Sequence, residues 1–130
     1  MTRSTLAVDR TALAGLDRLT RRLSFHSKRQ QVLASNIANL DTPGYRARDV
    51  AFQETLTSSA GRSGRTERMM SFEMDSAFAD DEAPDLDGNT VSLEGQVSKM
   101  TTNMVQYRSL AELLSRRIGM LRYAATDGER

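Results

Sequence analysis

From Leu93 to Leu121 apolar residues recur at alternating steps of four and three: Leu93, Val97, Met100, Met104, Tyr107, Ala111, Leu114, Ile118 and Leu121. Nine consecutive positions on one heptad register restrict the segment to an α-helix whose stripe must be covered by another helix. Leu110 and Leu113 widen that stripe. Ser92 stands where a helix is capped, and Glu94 falls in the first turn, where the backbone dipoles favour a carboxylate. Gly95 weakens this start by roughly 1 kcal/mol relative to Ala. Arg116, Arg117 and Arg122 complement the opposite pole. The spacing predicts a helix over 92–123, with a frayed tail beyond it.

A second seam lies near the other end. Leu16, Leu19, Leu23, His26, Gln30, Leu33, Ile37 and Leu40 also alternate steps of three and four, with two polar members in the middle. Arg18, Arg21, Arg22, Lys28 and Arg29 fall off it. A helix is expected over 9–41, and His26 on its seam reads as an interhelical polar residue. Pro43 ends it, because the residue before proline is pushed out of the α region and proline has no N–H to donate. Pro43 and Gly44 suit the central positions of a type II turn, where Gly accepts a positive φ. Asn39, which tolerates the left-handed conformation, is expected to help the helix stop.

The residues between read as irregular. A turn and short segment are expected over 42–57, extended at first and then helical for a turn or two from Asp49. Residues 58–89 are expected to be flexible: Ser/Gly/Arg-rich at 58–68, with a short strand signalled by alternating Met70, Phe72 and Met74, then acidic and turn-rich. The fold class is therefore mainly α. Two long heptad-patterned helices form a coiled-coil pair, with an irregular, partly extended or disordered middle, in a single domain over 1–130. The core of such a chain is thin, so the stripes predict association.

The totals narrow what such a chain can do. Net charge is +1 over 130 residues, and aromatics are 5%. That argues against a dedicated nucleic-acid binder, whose affinity comes from phosphate neutralisation. The charge is nonetheless uneven. Residues 1–68 carry twelve Lys/Arg against six Asp/Glu, and 69–98 carry eight Asp/Glu and no Lys or Arg. There is no cysteine and one histidine, so no His/Cys metal cluster can be assembled; no Ser-centred nucleophile motif appears, and one His leaves little material for a triad. The run Asp85-Leu86-Asp87-Gly88-Asn89 lacks the spacing and closing Glu of an EF-hand, and Gly61-Arg62-Ser63-Gly64-Arg65 lacks the ending of a phosphate loop. The expectation is a non-enzymatic protein with no cofactor and no metal. No apolar run reaches membrane-spanning length, and Asp9 and Arg10 interrupt any signal-peptide core, so neither membrane insertion nor a cleaved signal is expected.

One segment carries more than periodicity. Ser35-Asn36-Ile37-Ala38-Asn39-Leu40-Asp41-Thr42-Pro43-Gly44-Tyr45 resembles the signature of the flagellar rod and hook axial protein family: a small residue, then Asn-x-Ala-Asn-x-x-Thr-Pro-Gly-Tyr, at the end of the N-terminal helix. Ser35 stands where that family has Ala, and Ser92-Leu93-Glu94-Gly95-Gln96 is less acidic than its usual counterpart. The ending, from Asn103-Met104-Val105-Gln106-Tyr107 to Leu121-Arg122-Tyr123, and the short chain resemble the proximal-rod branch. The resemblance covers roughly 10–57 and 89–124. It implies a structural subunit of the proximal rod of the flagellar basal body. Such a subunit is exported by the flagellar type III system to the periplasmic rod, and it packs there to transmit motor torque. Expected neighbours are further copies of the chain, FlgC, FlgF, FliE and FliF. The residues that carry this reading are Asn36, Ala38, Asn39, Thr42, Pro43, Gly44 and Tyr45 in the turn. In the seams they are Leu16, Leu23, Leu33, Ile37, Leu93, Val97, Met100, Met104, Tyr107, Leu114, Ile118 and Leu121. Without the resemblance, a small coiled-coil adaptor or secretion chaperone fits the same seams.

Overall fold

The computed structural model describes residues 2–60, 66–79 and 83–127. In chain order they form α1 (Thr2–Ala38), β1 (Arg48–Ala60), β2 (Thr66–Phe78) and α2 (Leu93–Asp127). The helices have 37 and 35 residues. At about 1.5 Å per residue each runs ~50–55 Å, far longer than a stripe one helix can cover by itself.

Each helix ends for a local reason. The last turn of α1 tightens to three-residue spacing, with the N–H groups of Asn39 and Leu40 bonded to the carbonyls of Asn36 and Ile37. Asn39 is not left-handed; among the described residues only Gly44 and Gly88 have positive φ, at 70° and 75°. Its side chain instead donates back to the Ser35 carbonyl at 2.8 Å. Pro43 and Gly44 then take the middle of a turn closed by the Tyr45 N–H on the Thr42 carbonyl, and the φ of Gly44 makes that turn type II. At the other helix, Ser92 Oγ accepts the Gly95 N–H at 3.1 Å and caps α2.

The helical turn expected from Asp49 does not form. β1 and β2 pair antiparallel along their whole length, from Arg48 opposite Phe78, through Phe52 opposite Met74, to Ala60 opposite Thr66. Val50, Phe52 and Leu56 fall on one face of a period of two, interrupted at Glu54, as Met70, Phe72 and Met74 do without interruption, and that period is a strand's. Residues 58–60 and 66–68, read from composition as linker, belong to these strands. The basic run 61–65 and the acidic residues 80–82 lie outside the described residues. The base of the hairpin is tied down. The Ala79 N–H reaches the Ala47 carbonyl at 2.9 Å, and the Arg46 and Arg48 guanidinium carbons lie 4.3 and 5.2 Å from the Phe78 ring centroid.

The chain divides into two compact units, Met1–Gln30 with Val97–Arg130, and Gln31–Gln96. In the first, α1 and α2 run side by side in opposite directions: His26 meets Asn103, and Gly15 meets Arg117. In the second, a small core of Leu33, Ala47, Val50 and Val91 gathers the end of α1, the hairpin base and the approach to α2. Among the residues whose burial is described, buried amides supplement these four apolar side chains: Asn36, Asn89 and Gln96 in this unit.

Candidate functional site

The signature segment is held by a network of side-chain amides. Asn36, fully buried, uses its whole amide. Nδ2 donates to the Arg48 carbonyl at 2.6 Å and to Gln96 Oε1 at 2.9 Å. Oδ1 accepts the Arg48 N–H at 3.0 Å and the Tyr45 hydroxyl at 3.3 Å. One residue of α1 thereby joins the turn, the first residue of β1 and the first turns of α2. Asn39 plays a local part, its Oδ1 accepting from Thr42 Oγ1 at 3.3 Å. Ala38 is exposed, as are Thr42, Pro43 and Gly44, and Tyr45 is half-buried.

The carbonyls that follow α1 are met from outside the signature. Asn89 Nδ2 lies 3.0, 2.7 and 2.9 Å from the carbonyl oxygens of Asn39, Leu40 and Thr42, and those of Asn39 and Thr42 also accept the main-chain N–H groups of Thr42 and Tyr45. Asn89 Oδ1 accepts the buried Val91 N–H at 2.7 Å. Main-chain bonds flank this clasp: Gly44 N–H to Asp87, Thr90 N–H to Tyr45, and Ala47 N–H to Thr90 Oγ1 at 2.8 Å. The Asp85–Gly88 turn, in the stretch expected above to be flexible and turn-rich, has this structural use through its main chain. Asn89 and Gln96 were not singled out from the sequence. Their signal was a polar residue among turn formers and a Gln inside an apolar helix start, and both are common on surfaces.

The two seams are covered unequally. On α1, Leu33 is buried, and Leu16, Leu19, Leu23, His26, Gln30, Ile37 and Leu40 are half-buried. The nine-member stripe of α2 splits in two. Met100, Ala111, Leu114 and Leu121 are half-buried, whereas Leu93, Val97, Met104, Tyr107 and Ile118 are 38–48% exposed. Val105, Leu113, Met120 and Tyr123 extend the exposed apolar surface. The line of α2 most covered runs Gln96, Asn103, Leu110, at steps of seven. Asn103 was also missed by apolar periodicity, because it stands one position before the stripe.

Two exposed ion pairs, Arg21–Asp17 at 2.9 Å and Arg116–Glu112, lie within single helices at four-residue spacing, where each contributes about 0.3–0.5 kcal/mol. Among the described residues no three His, Cys, Asp or Glu side chains are grouped to hold a metal ion, and no helix is long and apolar enough to cross a membrane.

Residues 16–46, which run from the α1 seam through the Pro-Gly turn, match the family described as flagella basal body rod protein. The flagellar basal body rod protein FlgB of Aeromonas hydrophila is 35% identical over 118 residues, covering 82% of this chain and 88% of that one. The chain belongs to the FlgB family of flagellar basal body rod proteins. FlgB of Escherichia coli K12 is 33% identical, with 76% of this chain and 84% of that one covered. FlgB of Cereibacter sphaeroides is 34% identical, with 82% and 89% covered. Membership gives the chain a structural role in the flagellar basal body rod. The FlgB relatives match across most of the chain, well beyond the short family segment.

Proposed function

We propose that this FlgB-family chain is a proximal-rod subunit that assembles through the exposed apolar stripe of α2 and thereby carries motor torque. The observation behind this reading is the split seam. Four members of a nine-residue heptad stripe are half-buried by the chain itself, and Leu93, Val97, Met104, Tyr107 and Ile118 are left more open. Exposed apolar surface of this extent on a long helix favours association. In a rod, such contacts repeat head to tail along a helical lattice instead of closing into a dimer. The turn at Asn36–Tyr45 contributes by aiming the hairpin from the helix end, since Asn36 and Asn89 hold both sides of it. Neighbours consistent with the family are other copies of the chain, FlgC, FlgF, FliE and the ring protein FliF. Export by the flagellar type III system to the periplasm belongs to the same proposal.

The test is a swimming strain whose own copy is replaced by a variant. Ile118 is open and Leu114 is half-covered, so Ile118→Asp reports on contacts between subunits with little effect on the fold. Ile118→Asp is expected to abolish swimming and incorporation into purified basal bodies while the chain is still exported. Leu114→Asp is expected to do the same and also to lower the helicity of the isolated chain. Normal swimming with Ile118→Asp would sink the assignment of the stripe.

A further inference from the structure

β1 and β2 form a two-stranded ribbon with 13 residues in each strand. Two strands by themselves are marginally stable in water, and such a ribbon lasts when an apolar face is laid on another element. The register shows which face that is. Phe52 pairs with Met74, Glu54 with Phe72 and Leu56 with Met70. Residues two apart in a strand share a face, so these six lie on one face, together with Val50. The opposite face holds pairs of another kind: Ala51 with Asp75, Gln53 with Glu73 and Thr55 with Ser71. Over residues 50–56 and 70–76, one face of the ribbon is therefore apolar, with a single charged residue, Glu54, in its middle.

α2 has an open face of matching size. Val97, Thr101, Met104, Val105 and Arg108 follow one another at the three- and four-residue spacing of one side of a helix. Val97, Met104 and Val105 are 47, 44 and 60% exposed, and Thr101 and Arg108 are exposed as well. From Val97 to Arg108 the face runs ~17 Å at about 1.5 Å per residue. The apolar face of the ribbon runs ~20 Å over its strand steps from Val50 to Leu56. The helix face also carries a single charge, Arg108, opposite in sign to Glu54. The surroundings agree. Residues 49–57 and 69–77 of the hairpin hold Asp49, Glu54, Glu73 and Asp75 and no Lys or Arg. Residues 97–111 of α2 hold Lys99 and Arg108 and no Asp or Glu.

We infer that the apolar face of the hairpin in one copy docks on this face of α2 in the next copy, with Glu54 set against Arg108. The two faces are different patches of one chain, so the contact is heterologous. Each copy offers its hairpin to one neighbour and its α2 to another, and the series does not close at two copies. A charge pair enclosed by apolar surface also fixes the alignment, because a shifted contact leaves both charges desolvated and unpaired. The inference rests on the assembly reading above and names the surface that meets the open side of α2.

The chain has no cysteine, so Glu54→Cys with Arg108→Cys gives the full chain two thiols. Basal bodies purified from a strain carrying this variant are oxidised with copper phenanthroline and run on a non-reducing gel. A ladder of dimers, trimers and larger species that disappears on reduction is expected. Gln53→Cys with Arg108→Cys, one residue away and on the other face of the ribbon, is expected to give no ladder. A second measurement needs no thiols and decides even where the cysteine pair is not incorporated. Glu54→Arg and Arg108→Glu are each expected to abolish swimming, and together to restore it. The inference is overturned by assembled basal bodies without a ladder, by an equal ladder from Gln53→Cys, or by a link only within one chain. It is overturned equally if a single reversal swims normally or the double reversal does not swim. Ile118 lies ten residues beyond Arg108. Loss of swimming with Ile118→Asp alongside a missing ladder would therefore strike the hairpin as partner and leave assembly through α2 standing.

Discussion

At the scale of single residues, the chain is organised by amides more than by its few core aliphatics. Asn89 shows why. One side chain meets carbonyls in the turns that follow α1 and the buried N–H of Val91. Asn89→Ala removes all of these bonds, and an unpaired buried polar group costs about 1–3 kcal/mol. Thermal melts followed by circular dichroism should show that loss. Asn89→Asp keeps the acceptor for Val91 but sets a carboxylate against three carbonyl oxygens. It is expected to destabilise at least as much as Ala. A milder effect for Asp would mean that the carbonyl clasp contributes little. Asn36 was legible in the sequence because the signature contains it; Asn89, Gln96 and Asn103 were not. Hydrophobic periodicity has no term for a polar residue whose partners lie tens of positions away.

At the scale of elements, the Pro43-Gly44 turn and the ends of both helices follow from short-range chemistry. Gly44 sits at φ 70°, and a Cβ there would meet nothing within 4 Å. The cost of Gly44→Ala is therefore conformational alone, about 1–2 kcal/mol for a left-handed residue. Gly44→Asn should cost less, because Asn tolerates that region. Chemical denaturation of the two variants checks the ranking, and equal costs would show that φ is not what selects Gly. The hairpin is the element whose reach was understated. Met70, Phe72 and Met74 signalled a strand, but the Ser/Gly/Arg composition at 58–68 suggested linker, and the residues after Asp49 suggested a turn of helix. Pairing overrode both. A strand's backbone bonds are made with another segment, so its length is decided by a partner that local propensity does not contain.

At the scale of the whole molecule, the balance of covered and open apolar surface carries the functional argument. A triple variant, Val97→Ser, Met104→Ser, Ile118→Ser, removes open apolar area without touching the line Gln96, Asn103, Leu110. In sedimentation velocity over a concentration series, the parent chain is expected to shift to larger species as concentration rises. The triple variant should stay monomeric with unchanged helicity. Concentration-independent behaviour of the parent would remove the physical basis for assembly through this stripe.

The sequence by itself determined the two helices, the turn that stops the first, the cap that starts the second, and membership in a rod family. All of these depend on residues within a few turns of one another, where spacing is geometry. It also determined that apolar stripes exist. Only the tertiary structure decided which half of the α2 stripe the chain covers, because a heptad pattern marks a face and leaves its partner open. The meeting points are Asn36, Asn89, Gln96 and Asn103, whose hydrogen bonds are directional and whose partners lie tens of positions away in the sequence, out of reach of any local pattern.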